Sequence, residues 1–230
     1  MFTVRLAELN IMIDNKYGYI EKMCAGYITD RPPDFSVSVS APEITAEGSG
    51  DSLSMGYLES LAVYRKIAEK ILCYDGFLLH GVVIDVEGVG IAFLAKSGIG
   101  KSTHARLWRE LLGSRMTVIN GDKPLVRIIG GKIFACGTPW AGKENLHTNA
   151  KTELKKVCFI ERSDKNECIK LDKDKVFERL INQIYLPEKT KFFLKTLDLI
   201  NTLTEKTEFY LIKCNTDISA AKTAYKGLKL

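Results

Sequence analysis

The run AKSGIGKST, from Ala95 to Thr103, places two glycines, a lysine and a hydroxyl side by side. Gly98 and Gly100 free the backbone, so that successive N–H groups can curl around an anion. A helix starting there adds unpaired donors and the positive end of its dipole. Lys101 would bring a point charge to the β and γ phosphates of a nucleotide, and the Ser102 hydroxyl is placed to ligate a Mg²⁺ that bridges them. The pattern G-x-x-x-x-G-K-[ST] asks for a glycine where this chain has Ala95. Alanine fits if φ there is negative and fails if it must be positive.

Such a loop works only between a buried strand and a helix. FLLHGVVIDV and VGIAFLA precede it as apolar, β-rich runs separated by glycines. KSTHARLWRELL follows, with Ala105, Trp108, Leu111 and Leu112 at helical spacing and Gly113 after the last turn. Without that order, G-x-G-K-S is merely a turn before a helix; with it, the phosphate-binding reading is preferred. A magnesium-dependent site also needs an acidic ligand, usually at the end of a neighbouring strand. Asp122, after MTVIN and Gly121, is the candidate, although Asn120-Gly121-Asp122 also reads as a hairpin turn.

Around this centre, residues 1–54 read as a small antiparallel β unit from alternating runs such as VRLAELNIMI and FSVSVS, closing in a Gly/Ser linker, EGSGDSLSMG. Residues 55–76 are predicted to hold a connecting amphipathic helix ending before Asp75-Gly76, and 77–230 the main α/β domain. Within it LVRII, KIFAC, KKVCFIE and EFYLIKC read as strands. VFERLINQIYL, FFLKTLDLINTL and a capped TDISAAKTAYKGL read as helices.

With 46% hydrophobic and 27% charged residues, the 230-residue chain has the composition of a globular protein. No window approaches the roughly 18 apolar residues of a membrane span, and MFTVRLAELNIMID has no cleavage-site pattern, so a cytoplasmic protein without a membrane partner is expected. The six cysteines form no C-x-x-C pair and the three histidines no metal-ligand spacing, so they read as thiols rather than a zinc site. The net charge of +5 comes mostly from lysines scattered over the second half. That describes a solvated basic face rather than a nucleic-acid stripe, with an acidic or phosphorylated partner left open.

Residues 80–103, HGVVIDVEGVGIAFLAKSGIGKST, resemble the HPr kinase/phosphorylase family in the leading His-Gly, the G-V-G hairpin and the ungapped spacing to S-G-I-G-K-S. The resemblance implies a P-loop nucleotide-binding domain of the HPr kinase and phosphoenolpyruvate carboxykinase type, with a small N-terminal β-rich unit. It implies that Ser97, Gly98, Ile99, Gly100, Lys101, Ser102 and Thr103 hold ATP, that His80 lies beside the reacting phosphate, and that Asp122 belongs to the catalytic centre. On the residues alone, His80 reads as a core histidine. The family carries two adjacent aspartates where this chain reads Gly121-Asp122, which leaves Asp122 to act as base, as metal ligand or as both. GTPWAGKEN, residues 137–145, is similar to a loop of small HPr-kinase-like proteins, including kinases of lasso-type precursor peptides. By that likeness Lys143 would neutralise charge on the transferred group; otherwise it is a solvated loop lysine, and Trp140 stacks on a base or fills the core.

The chain shows neither the long N-terminal domain nor the later signature segment of the HPr kinases proper, so an acceptor other than HPr is expected. The resulting expectation is a Mg²⁺-assisted transfer of the γ-phosphoryl group of ATP to a Ser or Thr hydroxyl of a peptide or protein. A small-molecule hydroxyl kinase and a non-catalytic nucleotide-binding module remain as alternatives, as does assembly into a homo-oligomer.

Overall fold

The computed structural model describes residues 1–48 and 53–230, which fall into two compact units, Met1–Tyr74 and Asp75–Leu230. The middle of the expected Gly/Ser linker, residues 49–52, lies outside the described residues.

In the first unit, β1 (Phe2–Leu6) and β2 (Leu9–Asp14) form an antiparallel hairpin, and β3 (Phe35–Ser38) completes a three-stranded sheet. Val4, Leu6, Ile11 and Ile13 alternate inward, the period-two signature of a sheet with one buried face. The expected all-antiparallel unit is corrected here: β3 runs parallel to β2. The chain crosses over through α1 (Gly18–Met23) before returning, and parallel neighbours require such a crossover. A short α2 (Ala41–Thr45) begins with a reciprocal Ser40–Glu43 capping box that was not read in the sequence. The amphipathic helix appears as α3 (Met55–Lys70), capped by Ser54 and continued by a 3-10 turn over Ile71–Tyr74. It packs within the first unit through Leu58, Ala62, Val63 and Ile67, and its buried Glu59 accepts a hydrogen bond from the Tyr17 N–H at 3.0 Å.

The second unit is built on a nine-stranded mixed sheet. Its strands are β4 (Gly76–Leu78), β5 (Val82–Val86), β6 (Val89–Leu94), β7 (Met116–Asn120), β8 (Leu125–Ile129), β9 (Lys132–Cys136), β10 (Lys151–Arg162), β11 (Glu167–Lys170) and β12 (Glu208–Cys214). The main order is β4-β8-β9-β10-β6-β5-β7, with β12 also beside β10 and β11 beside β12. The long β10 makes the sheet curl: its start pairs antiparallel with β9, while its later residues pair parallel with β6 and β12.

Helix α4 (Lys101–Leu112) and α7 (Ile218–Gly227) pack together over β5, β6, β10 and β12. The core between them includes Ile84, Phe93, Trp108, Cys158, Ile212 and Ala221. Asp217 precedes α7 without a side-chain capping bond, so the expected cap is not made. Helix α6 (Thr190–Lys206) packs against β4 and β9.

The helix expected over VFERLINQIYL shortens to α5 (Phe177–Ile181). The following residues instead complete the bonding of the chain after β4: Tyr185 N–H donates to the Leu78 carbonyl at 3.0 Å, and His80 N–H to the Gln183 carbonyl at 2.7 Å. An exposed sheet edge seeking partners overrides helical periodicity there. Among the described residues, no helix is long and apolar enough to cross a membrane.

Candidate functional site

Strand order collects the chemistry at one end of the sheet. β5 lies between β6 and β7 and runs antiparallel to both. His80, two residues before β5, therefore lies at the end where β6 and β7 finish and lead into the glycine loop and Asp122. β10 runs parallel to β6, so its last residue, Arg162, arrives at the same end.

The loop turns on Gly98 and Gly100, with φ of 80° and 124°, values that L side chains rarely adopt. Among the described residues, Ala95 is absent from the positive-φ non-glycine positions, so its Cβ is accommodated without strain. Gly100 is the N-cap of α4 and supplies no side-chain bond, leaving first-turn N–H groups for a ligand or water. The guanidinium of Arg162 straps the loop from behind: Nε donates to the Ile99 carbonyl at 3.0 Å and an Nη to the Gly98 carbonyl. The Ile99 N–H is itself engaged, donating to the Lys96 carbonyl at 3.3 Å, so the strap fixes the shape of the turn.

Lys101 is largely buried, and its Nζ donates to the Ala95 carbonyl at 2.8 Å. Burial lowers its pKa, the carboxylate of Asp122 raises it, and the ammonium of Lys123 lowers it again. Burial is the largest of these, so the net shift is downward. The Ser102 hydroxyl has no hydrogen-bond partner among the described residues, and Ser102 lines the same cavity as Gly121.

Asp122 is held from three sides. Its Oδ1 lies 3.3 Å from His80 Nε2, its Oδ2 accepts from Lys123 Nζ, and its backbone carbonyl accepts from Gly81 N–H at 2.8 Å. Burial pushes its pKa up, but the hydrogen bonds from His80 and Lys123 and their charges outweigh burial and bring it to about 2. The carboxylate is therefore ionised at neutral pH.

The turn carrying Asp122 is built by Asn120, which is fully buried. Its Oδ1 accepts from the N–H groups of Asp122 and Lys123 at 2.8 and 2.7 Å, and its Nδ2 donates to Thr138 Oγ1 and the Thr138 carbonyl at 3.0 Å. This is no hairpin turn, because β7 and β8 are not neighbours in the sheet. Gly121 has a packing reason of its own. A Cβ there would lie 3.0 Å from the Ala141 carbonyl and 3.2 Å from that of Leu146, so a second aspartate would push on backbone.

The remaining candidates are placed differently. Trp140 is buried and fills the core. Lys143 is exposed and makes no hydrogen bond or ion pair among the described residues, although neighbouring Gly142 approaches the Asp122 side chain. Ser97 is exposed and Thr103 half-buried at the rim of the loop. His104 is buried, accepts from Trp108 Nε1 at 3.0 Å, and is pushed down to about 4 by burial, as a neutral core histidine should be. Arg162, Lys123 and Asn120 were not singled out as site residues, and neither was Gln183, whose buried Oε1 lacks a partner.

The Asp122 carboxylate, whose oxygens meet His80 and Lys123, and the Ser102 hydroxyl are the oxygen groups that could be offered to a metal here. They suit Mg²⁺, which takes one or two protein ligands and completes its shell with phosphate oxygens and water.

If the glycine loop takes Mg-ATP and Arg162 holds its shape, Arg162→Ala should weaken that affinity about tenfold, the equivalent of ~1.4 kcal/mol. Turnover at saturating ATP should change far less. Calorimetric titration alongside kcat measurements separates the two effects; an unchanged affinity would show that the strap has no positioning role.

A scan against known protein families finds no match, and no curated protein matches the chain. Among solved structures, the chain is similar to the Hpr(Ser) kinase/phosphatase from Coxiella burnetii at 10% sequence identity, over 56% of this chain and 92% of that one, with a TM-score of 0.30. At that TM-score the likeness carries no weight for what this chain binds or does.

Proposed function

We propose that the second unit binds ATP with Mg²⁺ at the glycine loop and transfers the γ-phosphoryl group to a Ser or Thr hydroxyl of a peptide or protein. The observation that carries this is the convergence of the loop, buried Lys101 and the His80–Asp122 pair at one sheet end.

In the proposed reaction the hydroxyl oxygen of the acceptor attacks the γ phosphorus and forms a new O–P bond. The bond from the γ phosphorus to the β–γ bridging oxygen breaks, and its electron pair leaves with ADP. The acceptor's proton passes to Asp122 or to His80, whose Nε2 lies 3.3 Å from the Asp122 Oδ1. Lys101 and the loop N–H groups stabilise charge on the transferring group, and positioning supplies much of the rest. Ser102 and Asp122 would hold Mg²⁺, which supplies neutralisation of the phosphate charge when bound.

A second reading, a nucleotide-binding module without catalysis, is favoured by one observation. Both carboxylate oxygens of Asp122 are already engaged, by His80 and Lys123. Phosphorus NMR of Mg-ATP with the wild-type protein separates the readings, using serine-containing peptides and free serine as alternative acceptors. A phosphoester formed in step with ADP on the peptide supports the peptide kinase, and one on free serine supports a small-molecule kinase. Tight binding with neither product supports the module.

A further inference from the structure

A cavity of about 140 Å³ opens beside Ser102 and Gly121, walled by Val82, Ala105, Val118 and Leu146. Its size approaches the ~150 Å³ of an apolar protein cavity that accepts benzene. Arg106, Arg109 and Glu144 also line it. All three are exposed, and neither arginine has an ion-pair or hydrogen-bond partner among the described residues. Two guanidiniums against one carboxylate leave the rim positive.

Helical geometry relates this cavity to the phosphate end. Ser102, Ala105, Arg106 and Arg109 fall at i, i+3, i+4 and i+7, a single stripe along α4. At 1.5 Å per residue, Arg106 and Arg109 stand roughly 6 and 10 Å along the axis from Ser102. An extended peptide advances about 3.3 Å per residue, so these distances correspond to about two to three residues from an acceptor hydroxyl at the phosphate.

We propose that this cavity is the acceptor-specificity pocket: it takes an apolar side chain of a peptide whose acidic residue, two to three positions from the phosphorylated hydroxyl, pairs with Arg106 and Arg109. The inference rests on the phosphotransfer reading but concerns recognition, so it can be tested by binding alone. Shape favours a side chain of leucine size over alanine, and apolar pockets discriminate about 10- to 200-fold per methylene-scale difference. Charge complementarity favours an acidic over a basic flank.

The probe is a set of four fluorescent peptides with a central serine, Leu or Ala two residues away on both sides, and Glu or Lys three residues away on both sides. Dissociation constants are measured by anisotropy with Mg²⁺ and a non-hydrolysable ATP analogue present. The Leu/Glu peptide should bind at least tenfold more tightly than the Ala/Lys peptide. The surface double variant Arg106→Glu, Arg109→Glu should reverse the Glu-over-Lys preference, and the cavity-filling Ala105→Leu should erase the Leu-over-Ala preference. These are ratios within one variant, so a partial loss of folded protein does not move them. Equal binding of the four peptides, no binding of any, or preferences that survive both variants would overturn the pocket. Discrimination among the peptides in a protein that transfers no phosphoryl group would keep the pocket and discard the kinase.

Discussion

Lys101→Ala should lower phosphoryl transfer by about 100- to 1,000-fold, the loss seen when a preorganised charge-stabilising donor is removed. Mg-ATP affinity should fall as well, since in the proposed reaction the ammonium would serve bound phosphates before and during transfer. Lys101 is positioned by burial and by its bond to the Ala95 carbonyl rather than by a flexible reach from the surface. Removing it leaves the Ala95 carbonyl without its donor, a penalty of about 1–3 kcal/mol in stability. Thermal unfolding of the variant therefore accompanies titration calorimetry and steady-state rates taken well below its melting temperature. Wild-type affinity in a folded Lys101→Ala protein would mean that ATP, if it binds, binds elsewhere.

Asp122→Asn removes both a proton acceptor and a candidate Mg²⁺ ligand. The amide keeps the shape but cannot take a proton, so transfer should fall by about 100- to 10,000-fold, the range supplied by a positioned general base. Mg-ATP affinity should change less, because the loop and Lys101 remain. The same variant has a pH signature. The folded pKa of Asp122 is about 2, below its ordinary 3.8, so its ties to His80 and Lys123 add stability when the carboxylate is ionised. That contribution is complete above about pH 4 and is lost as the pH falls towards 2. With His80 and Lys123 partly exposed and screened by solvent, it amounts to on the order of 1 kcal/mol. Acid titration of stability should be shallower in Asp122→Asn over that range.

Local chemistry was legible in the sequence where it depends on neighbours in the chain. Gly98, Gly100, Lys101 and Ser102 stand within one loop, and helical spacing after them marked α4 with its terminal Gly113. The role of Arg162 was not legible. It depends on β10 lying parallel beside β6, a pairing between segments far apart in sequence. Asn120 looked like half of a turn dipeptide, and only the strand order shows that it buttresses Asp122 instead of closing a hairpin. The glycine before Asp122 looked like a missing aspartate; the close carbonyls of Ala141 and Leu146 give it a steric reason. The short α5 and the parallel β3 follow the same rule, since tertiary pairing overrode local periodicity in both.

The proposed activity is phosphoryl transfer at the sheet end bearing the glycine loop. It is tested most directly by incubating wild type, Lys101→Ala and Asp122→Asn with γ-labelled ATP, Mg²⁺ and the peptide set, and following label into phosphoserine. The predicted result is Mg²⁺-dependent labelling by the wild type alone, with Mg-ATP still bound by Asp122→Asn. Labelling that persists in Asp122→Asn, or a wild-type protein that binds no Mg-ATP, would contradict the account.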